Sequence, residues 1–535
     1  MSPFTLSSSP DLLCEDRFDI VGSDDLQVPF WEILTAILRP DNPIDDVATL
    51  IETLETIRAC LRGHTKDFKT ANSDYDIIDT DYEYLREFLS NYLSKPPGKI
   101  NIFFNETWPR LVQIALEMPH LFPGHSLDHT YSTSREYVFA FSRRQIACLV
   151  IHQFLCSLPS HPWRTQSFVD LRVWYSSSAA SSHRSAMHAY LAALFTYFER
   201  VTSSAEDSIL GFELKDWPII FTLKTLPPQD IEAAKSLKER PFCSVDFVQL
   251  SESKTSPEYL GLNNGACVIA ANKSVGLGPA ATQEELQVGS TPEAYPISLL
   301  VQPLEDNQVL VVQGAEAMVS IRGYGVEAWL EEILEPDYSE PVKKSGKRDS
   351  VKLASKWQSR TMLFMDAIQF DFDPASPETA NIIQDLQLGN LSRELWKAYN
   401  AFDSTHVMRS ENKTTVTGIH SRGPYSVVAT GLWGCGAFGG DKHIKSMIQW
   451  CAASMAQVRR LQFITSTTEQ HVFAEAFKGF IDRMTHIVDR PPHVADVFSI
   501  LVELEREMGV KGHVAVRGNE IFEYVLQSLS EKSVQ

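Results

Sequence analysis

The sequence predicts an α/β chain, a mixed α+β layer fold behind a helical N-terminal region. Three observations predict it. Amphipathic helix patterns dominate roughly the first two hundred residues. Short β-rich runs alternate with helical stretches from about Phe212 onward. Near the C-terminus a single β–loop–helix–β unit favours parallel strand pairing. At 535 residues the chain exceeds one ordinary core, and 44% apolar content marks it as globular.

In the N-terminal region, "TWPRLVQIALEM" puts Pro109 in a first helical turn and Leu111, Ile114, Ala115 and Met118 on one face. "SRRQIACLVIHQFLC" opens on Ser142 with Gln145 three residues on, a capping box, and its nearly all-round apolar content predicts a buried helix. "HRSAMHAYLAALFTYFERV" predicts a further long helix. This region holds no cluster of chemically active types. Residues 1–205 therefore read as a helical accessory domain and 206–535 as the domain that carries the chemistry. In the second part the β-rich runs are "CSVDFVQL", "ACVIAA", "QVLVVQG", "MLFMDAIQF", "YSVVATG" and "LQFITST", with "SGKRDSVK" and "GIHSRGP" as loops or insertions.

Composition narrows the function classes. A net charge of −20 excludes unspecific adhesion to nucleic acid or anionic membrane. The basic run from Lys343 to Lys356 reads as a solvated loop, with a nuclear-import patch or a phosphate-contacting loop as alternatives. No apolar run reaches the roughly 18 residues of a membrane span, and the N-terminus lacks the pattern of a secretion signal. The eight cysteines are scattered without a C-x-x-C, which fits a reduced intracellular compartment. The 15 histidines show no ligand spacing, so neither a metal nor a cofactor is expected.

Two glycine loops carry the chemistry. In "YSVVATGLWGCGAFGGDKHIKSMIQWCAASMAQVRRLQFITST" a β run enters Gly434-Cys435-Gly436-Ala437-Phe438-Gly439-Gly440, Asp441 stands at an N-cap, and a helix and a second β run follow. Loops at the C-terminal ends of such strands bind ligands, and glycines let backbone amides approach phosphate oxygens. The loop matches neither the P-loop nor the Rossmann fingerprint, and tight loop packing explains its glycines equally well. Upstream, "VGLGPAATQEEL" joins a Gly-x-Gly turn to Gln283, Glu284 and Glu285. By itself this stretch reads equally as a surface turn entering an acidic helix start.

Together, "WGCGAFGGD" (Trp433 to Asp441), Ala271-Asn272 with "VGLG" and "QEE", "VVQGAEAMVSIRGYGVEAW" and "RTMLFMDAIQFD" resemble the poly(ADP-ribose) glycohydrolase family. "FFNETWPRLVQIALEMPHLF" and "SRRQIACLVIHQFLC" extend the resemblance into the helical half. The resemblance implies a macrodomain, a mixed sheet between helices, preceded by a helical accessory domain. It implies hydrolysis of the ribose–ribose bond of poly(ADP-ribose) to ADP-ribose. Glu285 would be the general acid and then the base, and Glu284 would hold the ribose hydroxyls. Like charge and desolvation together would raise the proton affinity of the pair. Gln283 would brace the pair and Asn272 would contact the sugar. Amides around Gly276 and Gly278 would face one phosphate, and Gly434, Cys435, Gly436, Ala437, Phe438 and Gly439 would hold the rest of the diphosphate. Phe438 and Tyr324 would pack on the ligand, with core packing as the alternative for both. The partners implied are poly(ADP-ribose), ADP-ribose and poly(ADP-ribosyl)ated proteins, with no direct nucleic-acid or membrane contact. A monomer in nucleus or cytoplasm is expected, connected with the DNA damage response.

Four positions depart from the family pattern. Leu277 replaces a middle glycine, and only Pro279 to Thr282 separate the loop from Gln283. Ile269 stands where the family has an aspartate, and Thr465 stands where an aromatic is expected, with Phe463 two residues earlier. Three readings follow: a glycohydrolase with a reshaped loop, a catalytically weak ADP-ribose-binding module, or a structural protein with a degenerate macrodomain.

Overall fold

The computed structural model describes residues 3–22, 27–39, 41–61, 64, 81–128, 136–160, 170–203, 217–228, 230–231, 235–253, 265–335, 356–370, 383–404, 424–487, 492–511 and 516–534. Most of the basic run at 343–356, all of "SGKRDSVK", and "GIHSRGP" up to residue 423 lie outside them.

Helices α1 (Val47–Cys60), α2 (Glu83–Tyr92) and α3 (Trp108–Leu116) precede strand β1 (Glu136–Phe141). Then come α4 (Arg143–Phe154), α5 (Ser177–Thr202), β2 (Ile219–Thr225), β3 (Ser244–Gln249) and β4 (Gly265–Ala271). The remainder is α6 (Gln283–Gly289), β5 (Gln308–Gln313), β6 (Thr361–Asp366), α7 (Asn390–Phe402), β7 (Val427–Thr430), α8 (Lys442–Met455) and β8 (Arg460–Thr465). Helices α9 (Thr468–Ile487), α10 (Val494–Lys511) and α11 (Asn519–Val534) close the chain. The strands form one mixed sheet in the order β1-β2-β5-β6-β4-β7-β8-β3. Pairing is antiparallel from β1 to β6 and parallel from β6 to β3.

The local reasons match the sequence patterns. Ser142 and Gln145 form the capping box of α4, and Pro109 opens α3. Asp441 caps α8, accepting from the amides of His443 at 2.8 Å and Ile444 at 3.1 Å.

Alternation along the strands builds two cores. Cys267, Ile269, Leu310, Val312, Met362 and Phe364 face one apolar cluster, which runs back to Phe4 and includes α4 and α5. Ala266, Val268, Val309, Val311, Leu363 and Met365 face a second, built with α7, α8, α10 and α11. The N-terminal helices are thus one layer of a three-layer fold. The sequence boundary at residue 205 is crossed, because β1 lies before it and pairs with β2 at the edge of the sheet. Neither β1 nor β2 is among the β runs named from the sequence, although both are rich in aromatic and β-branched residues.

Arg143, the first residue of α4, ties this layer to the sheet domain. Its guanidinium pairs with Glu293, lies 3.9 Å from Glu316, donates to the Gly314 carbonyl at 3.0 Å and stacks 4.4 Å from the centre of the Trp217 ring. All three charged side chains are buried. Removing one partner of a buried ion pair strands the others in a low dielectric. Arg143→Met is therefore expected to lower unfolding free energy by about 3–5 kcal/mol, read by urea denaturation.

Candidate active site

The order β6-β4-β7 puts the C-terminal ends of three parallel strands side by side. Open sheets bind ligands beyond such ends. The chain leaving β4 carries the first glycine loop and the chain leaving β7 carries the second. The second loop reaches across β4 toward β6. The Trp433 indole N–H donates to the Met365 carbonyl at 3.0 Å, and the Phe370 amide donates to the Phe438 carbonyl at 3.1 Å. The two loops therefore leave the C-terminal ends of neighbouring strands.

The first loop folds around the "QEE" carboxylates and amide. Gln283 Oε1 accepts from the Ala270 amide at 2.7 Å, and its Nε2 donates to the Val268 carbonyl at 3.2 Å, so it braces α6 against β4. Glu284 is buried. Its Oε2 accepts from the Asn272 amide at 2.7 Å and its Oε1 from the Gly276 amide at 2.9 Å. The sequence reading gives Glu284 to the ribose and the Gly276 amide to a phosphate. In the structure these two groups bind each other and close the loop, because a buried backbone N–H needs an acceptor. Asn272 Oδ1 accepts from the Ser274 amide at 3.0 Å, so its exposed side chain caps a turn.

Glu285 is oriented differently. Thr282 Oγ1 accepts from the Glu285 amide at 3.4 Å, and Glu285 Oε2 accepts from the Thr282 amide at 2.9 Å, a capping box that starts α6. Burial raises the Glu285 pKa, and the amides of Thr282, Ala280 and Ala281 work against that rise. Of the two causes expected from the sequence, desolvation and like charge, burial leads here. Gly278 packs directly on this carboxyl group, since a Cβ there would fall 1.8 Å from Glu285 Oε1. Gly278 is needed for that close approach.

The wall behind Glu285 comes from the helical layer. The Trp174 indole N–H donates to the Gly278 carbonyl at 3.0 Å, and its ring packs 4.9 Å from Tyr190 and 5.3 Å from Tyr295. Tyr190 is fully buried, and the Glu285 charge adds to the burial that raises its phenol pKa. Sequence reading missed Trp174, Tyr190 and Thr282. Only Thr282 carried a signal, the Thr-x-x-Glu spacing of a capping box.

The departures from the family pattern find places in this frame. Leu277 is buried in the apolar cluster with Val275, Ala281 and Leu286, and it does not adopt a left-handed φ. The short link turns at Ala281, whose φ is +52°. Ala281 in turn accepts from the Gly325 amide at 3.0 Å. That bond fixes Tyr324, half exposed between two left-handed glycines, beside the loop. Burial and then the Glu285 charge raise the Tyr324 phenol pKa. Ile269 is core, and Phe463 packs against Phe477 in the second cluster rather than at the edge.

The second loop is tightly folded. Gly434 has φ +76° and a Cβ there would meet Ala367 Cβ at 2.5 Å. Its carbonyl accepts from the Gly440 amide at 2.9 Å, and the Gly436 carbonyl from the Gly439 amide at 3.0 Å. Cys435 is half-buried, its thiol 3.5 Å from the Trp433 carbonyl and pushed far up by burial. Phe438 packs partly against the second core. Gly436, Ala437 and Gly439 are exposed, and nothing lies within 4 Å of a Cβ placed at Gly436. Beneath the loop, Lys445 pairs with Glu394 and with Asp385 at 3.2 Å. Burial raises the Asp385 pKa to about 6 against the pull of Lys445, and Asp385 also accepts from the Asp441 amide at 2.5 Å. Among the described residues no cluster of side chains could hold a metal ion.

Two outcomes test this frame. Gly434→Ala is expected to destabilise the fold by about 1–3 kcal/mol, whereas Gly436→Ala leaves the melting temperature unchanged and affects only ligand binding. Trp174→Phe keeps an aromatic ring but removes the indole N–H and part of the ring volume. The lost buried hydrogen bond and the cavity left behind are together expected to cost about 2–4 kcal/mol of stability, read by chemical denaturation.

Comparison with known proteins agrees with the fold and its layers. Residues 248–473 match the family model described as poly(ADP-ribose) glycohydrolase, macro domain fold. Residues 97–213 match the helical domain of the same family, and the two together span more than half of the chain. Poly(ADP-ribose) glycohydrolase 1 of Arabidopsis thaliana is 24% identical over 456 residues, 75% of this chain and 78% of that protein. Poly(ADP-ribose) glycohydrolase 1 of Caenorhabditis elegans is 27% identical over 360 residues, 64% of this chain but only 38% of that protein. The probable poly(ADP-ribose) glycohydrolase 2 of Arabidopsis thaliana is 22% identical over 403 residues, 66% of this chain and 70% of that protein. The helical domain and the macro domain of that family follow one another along this chain as its helical layer and its sheet do: this chain belongs to the poly(ADP-ribose) glycohydrolase family.

Proposed function

We propose that this protein hydrolyses the ribose–ribose O-glycosidic bonds of poly(ADP-ribose) and releases ADP-ribose, with Glu285 as general acid and base. The observation that carries the reading is the environment of Glu285. Burial favours its protonated form, while three backbone amides hold its anion. A group that must give a proton and then take one needs both forms accessible. In the first step the Glu285 carboxylic acid protonates the leaving ribosyl oxygen as the C–O bond breaks through an oxocarbenium-like state. In the second, the Glu285 carboxylate takes a proton from the water that attacks the anomeric carbon. Net, one water adds across the bond and Glu285 is restored. Glu284 keeps the loop closed. The amides of Cys435, Gly439 and Gly440 are bonded within the second glycine loop, which leaves its exposed turn at Gly436 and Ala437 to face the diphosphate. The compartments carried over from the sequence reading are nucleus and cytoplasm.

A second reading, a binding module with little turnover, draws on the first loop. Its Gly276 amide is engaged by Glu284, and Leu277 is buried where the family has a glycine. Release of ADP-ribose from purified polymer separates the two. The hydrolase reading expects turnover by the wild type and a loss of about 10²–10⁴-fold in Glu285→Gln, with ADP-ribose binding retained. Binding without wild-type turnover would leave the module. The pH profile gives a further check. A general acid works while protonated, so activity falls as pH rises through its pKa. The raised Glu285 pKa should therefore carry the alkaline limb of kcat above the range of an ordinary glutamate.

A further inference from the structure

The hairpin formed by Val319–Arg322 and Trp329–Ile333 is antiparallel and bulged between Ser320 and Ile321. Tyr324, Val326, Trp329 and Ile333 are all exposed on it, although single scattered apolar side chains are the ordinary state of a surface. Trp329 and Leu330 also form one wall of a cavity of about 410 Å³. The other wall is Tyr84 and Phe88 of α2 with Arg184 and His188 of α5. That volume falls within the roughly 300–1,000 Å³ of small-ligand sites.

Trp329, His188 and Arg184 are exposed groups of the walls, with Tyr84 and Phe88 buried behind them. Phe88 and His188 meet edge to face at 5.3 Å, and the Arg184 guanidinium lies 4.8 Å from the centre of the Tyr84 ring while pairing with Glu87. Arg322 lies 5.7 Å from the centre of the Trp329 ring. Such walls suit a flat aromatic ligand with hydrogen-bonding edges. The same hairpin is tied to the catalytic loop through the bond from the Gly325 amide to the Ala281 carbonyl. One short element thus joins the surroundings of Glu285, at Tyr324, to the cavity, at Trp329. A poly(ADP-ribose) chain engaged at Glu285 continues into further units, each bearing a base that a cavity on the same hairpin can take.

We propose that this cavity is a second subsite, which takes the adenine ring of a neighbouring unit of the poly(ADP-ribose) chain by stacking on Trp329. The proposal rests on the reading of the substrate given above, but not on turnover. Its test is direct titration with ADP-ribose and with purified poly(ADP-ribose) of defined length, on Glu285→Gln protein so that the chain persists. Trp329→Ala should weaken polymer binding about tenfold and leave ADP-ribose binding unchanged, and Trp329→Phe should restore it. His188→Ala, at an exposed position on the opposite wall, should weaken polymer binding in the same selective way. An equal loss for both ligands, no loss for either, or absence of polymer binding before Trp329 is changed would overturn the subsite. Binding of polymer by a wild type that does not cleave it would overturn hydrolysis alone and leave the subsite standing.

Discussion

The cation of Lys445 is the constraint around which the second glycine loop is folded. It comes from α8, sits fully buried under the loop and faces Glu394 of α7 and Asp385. Glu394 also binds Arg393, which reaches Asp366 at the end of β6, and Asp366 binds Lys397 at 2.6 Å. Burial pushes Lys397 down to about 8, with Asp366 opposing. Buried charges of this kind are weak evidence for stability, but removing one partner strands the others. Here the partners lie on β6, α7, α8 and the segment before α7, so the network ties the underside of the loop to the sheet and its helices. Gly434 and Gly440 follow from it: a Cβ at Gly434 would stand 3.3 Å from Lys445 Nζ, and one at Gly440 2.7 Å from Lys445 Cε.

The helical layer has a corresponding part on the opposite face. It buries half of the sheet, and its Trp174 and Tyr190 are the wall against which Glu285 stands. The local dielectric at the carboxyl group, and hence its proton affinity, is thus set by residues about a hundred positions earlier in the chain. The two parts thus share one packed environment around Glu285. Arg143 strengthens the union from the same layer.

The two adjacent glutamates divide their tasks by direction. Successive residues at a helix start point to different sides. Glu284 points into the loop, where its two oxygens satisfy two amides. Glu285 points along the loop toward Gly278 and remains partly open to solvent. The shortened link accommodates this through the left-handed turn at Ala281, strain of a kind that concentrates at functional loops. Leu277 is consistent with the same loop, because its position points into the core and requires no glycine conformation.

The sequence by itself determined the class of the fold, the parallel unit that carries the second loop, the caps of α4 and α8, and the two glycine-containing stretches that border the candidate site. These are local matters: periodicity, capping spacing and glycine loops act within a few residues. The capping box at Thr282 and Glu285 was equally legible and went unread. So were strands β1 and β2, since "EYVFAF" and "IIFTLKT" are rich in aromatic and β-branched residues. Their place in the sheet was not, because it rests on pairing with each other and with β5. Only the tertiary structure decided that Glu284 closes its own loop, that Asn272 caps a turn, and that the second loop crosses β4 to reach β6. It also decided that Trp174, Tyr190 and Lys445 shape the site. The reason is that burial and long-range pairing belong to no single segment: they arise when strand order brings distant residues to one edge.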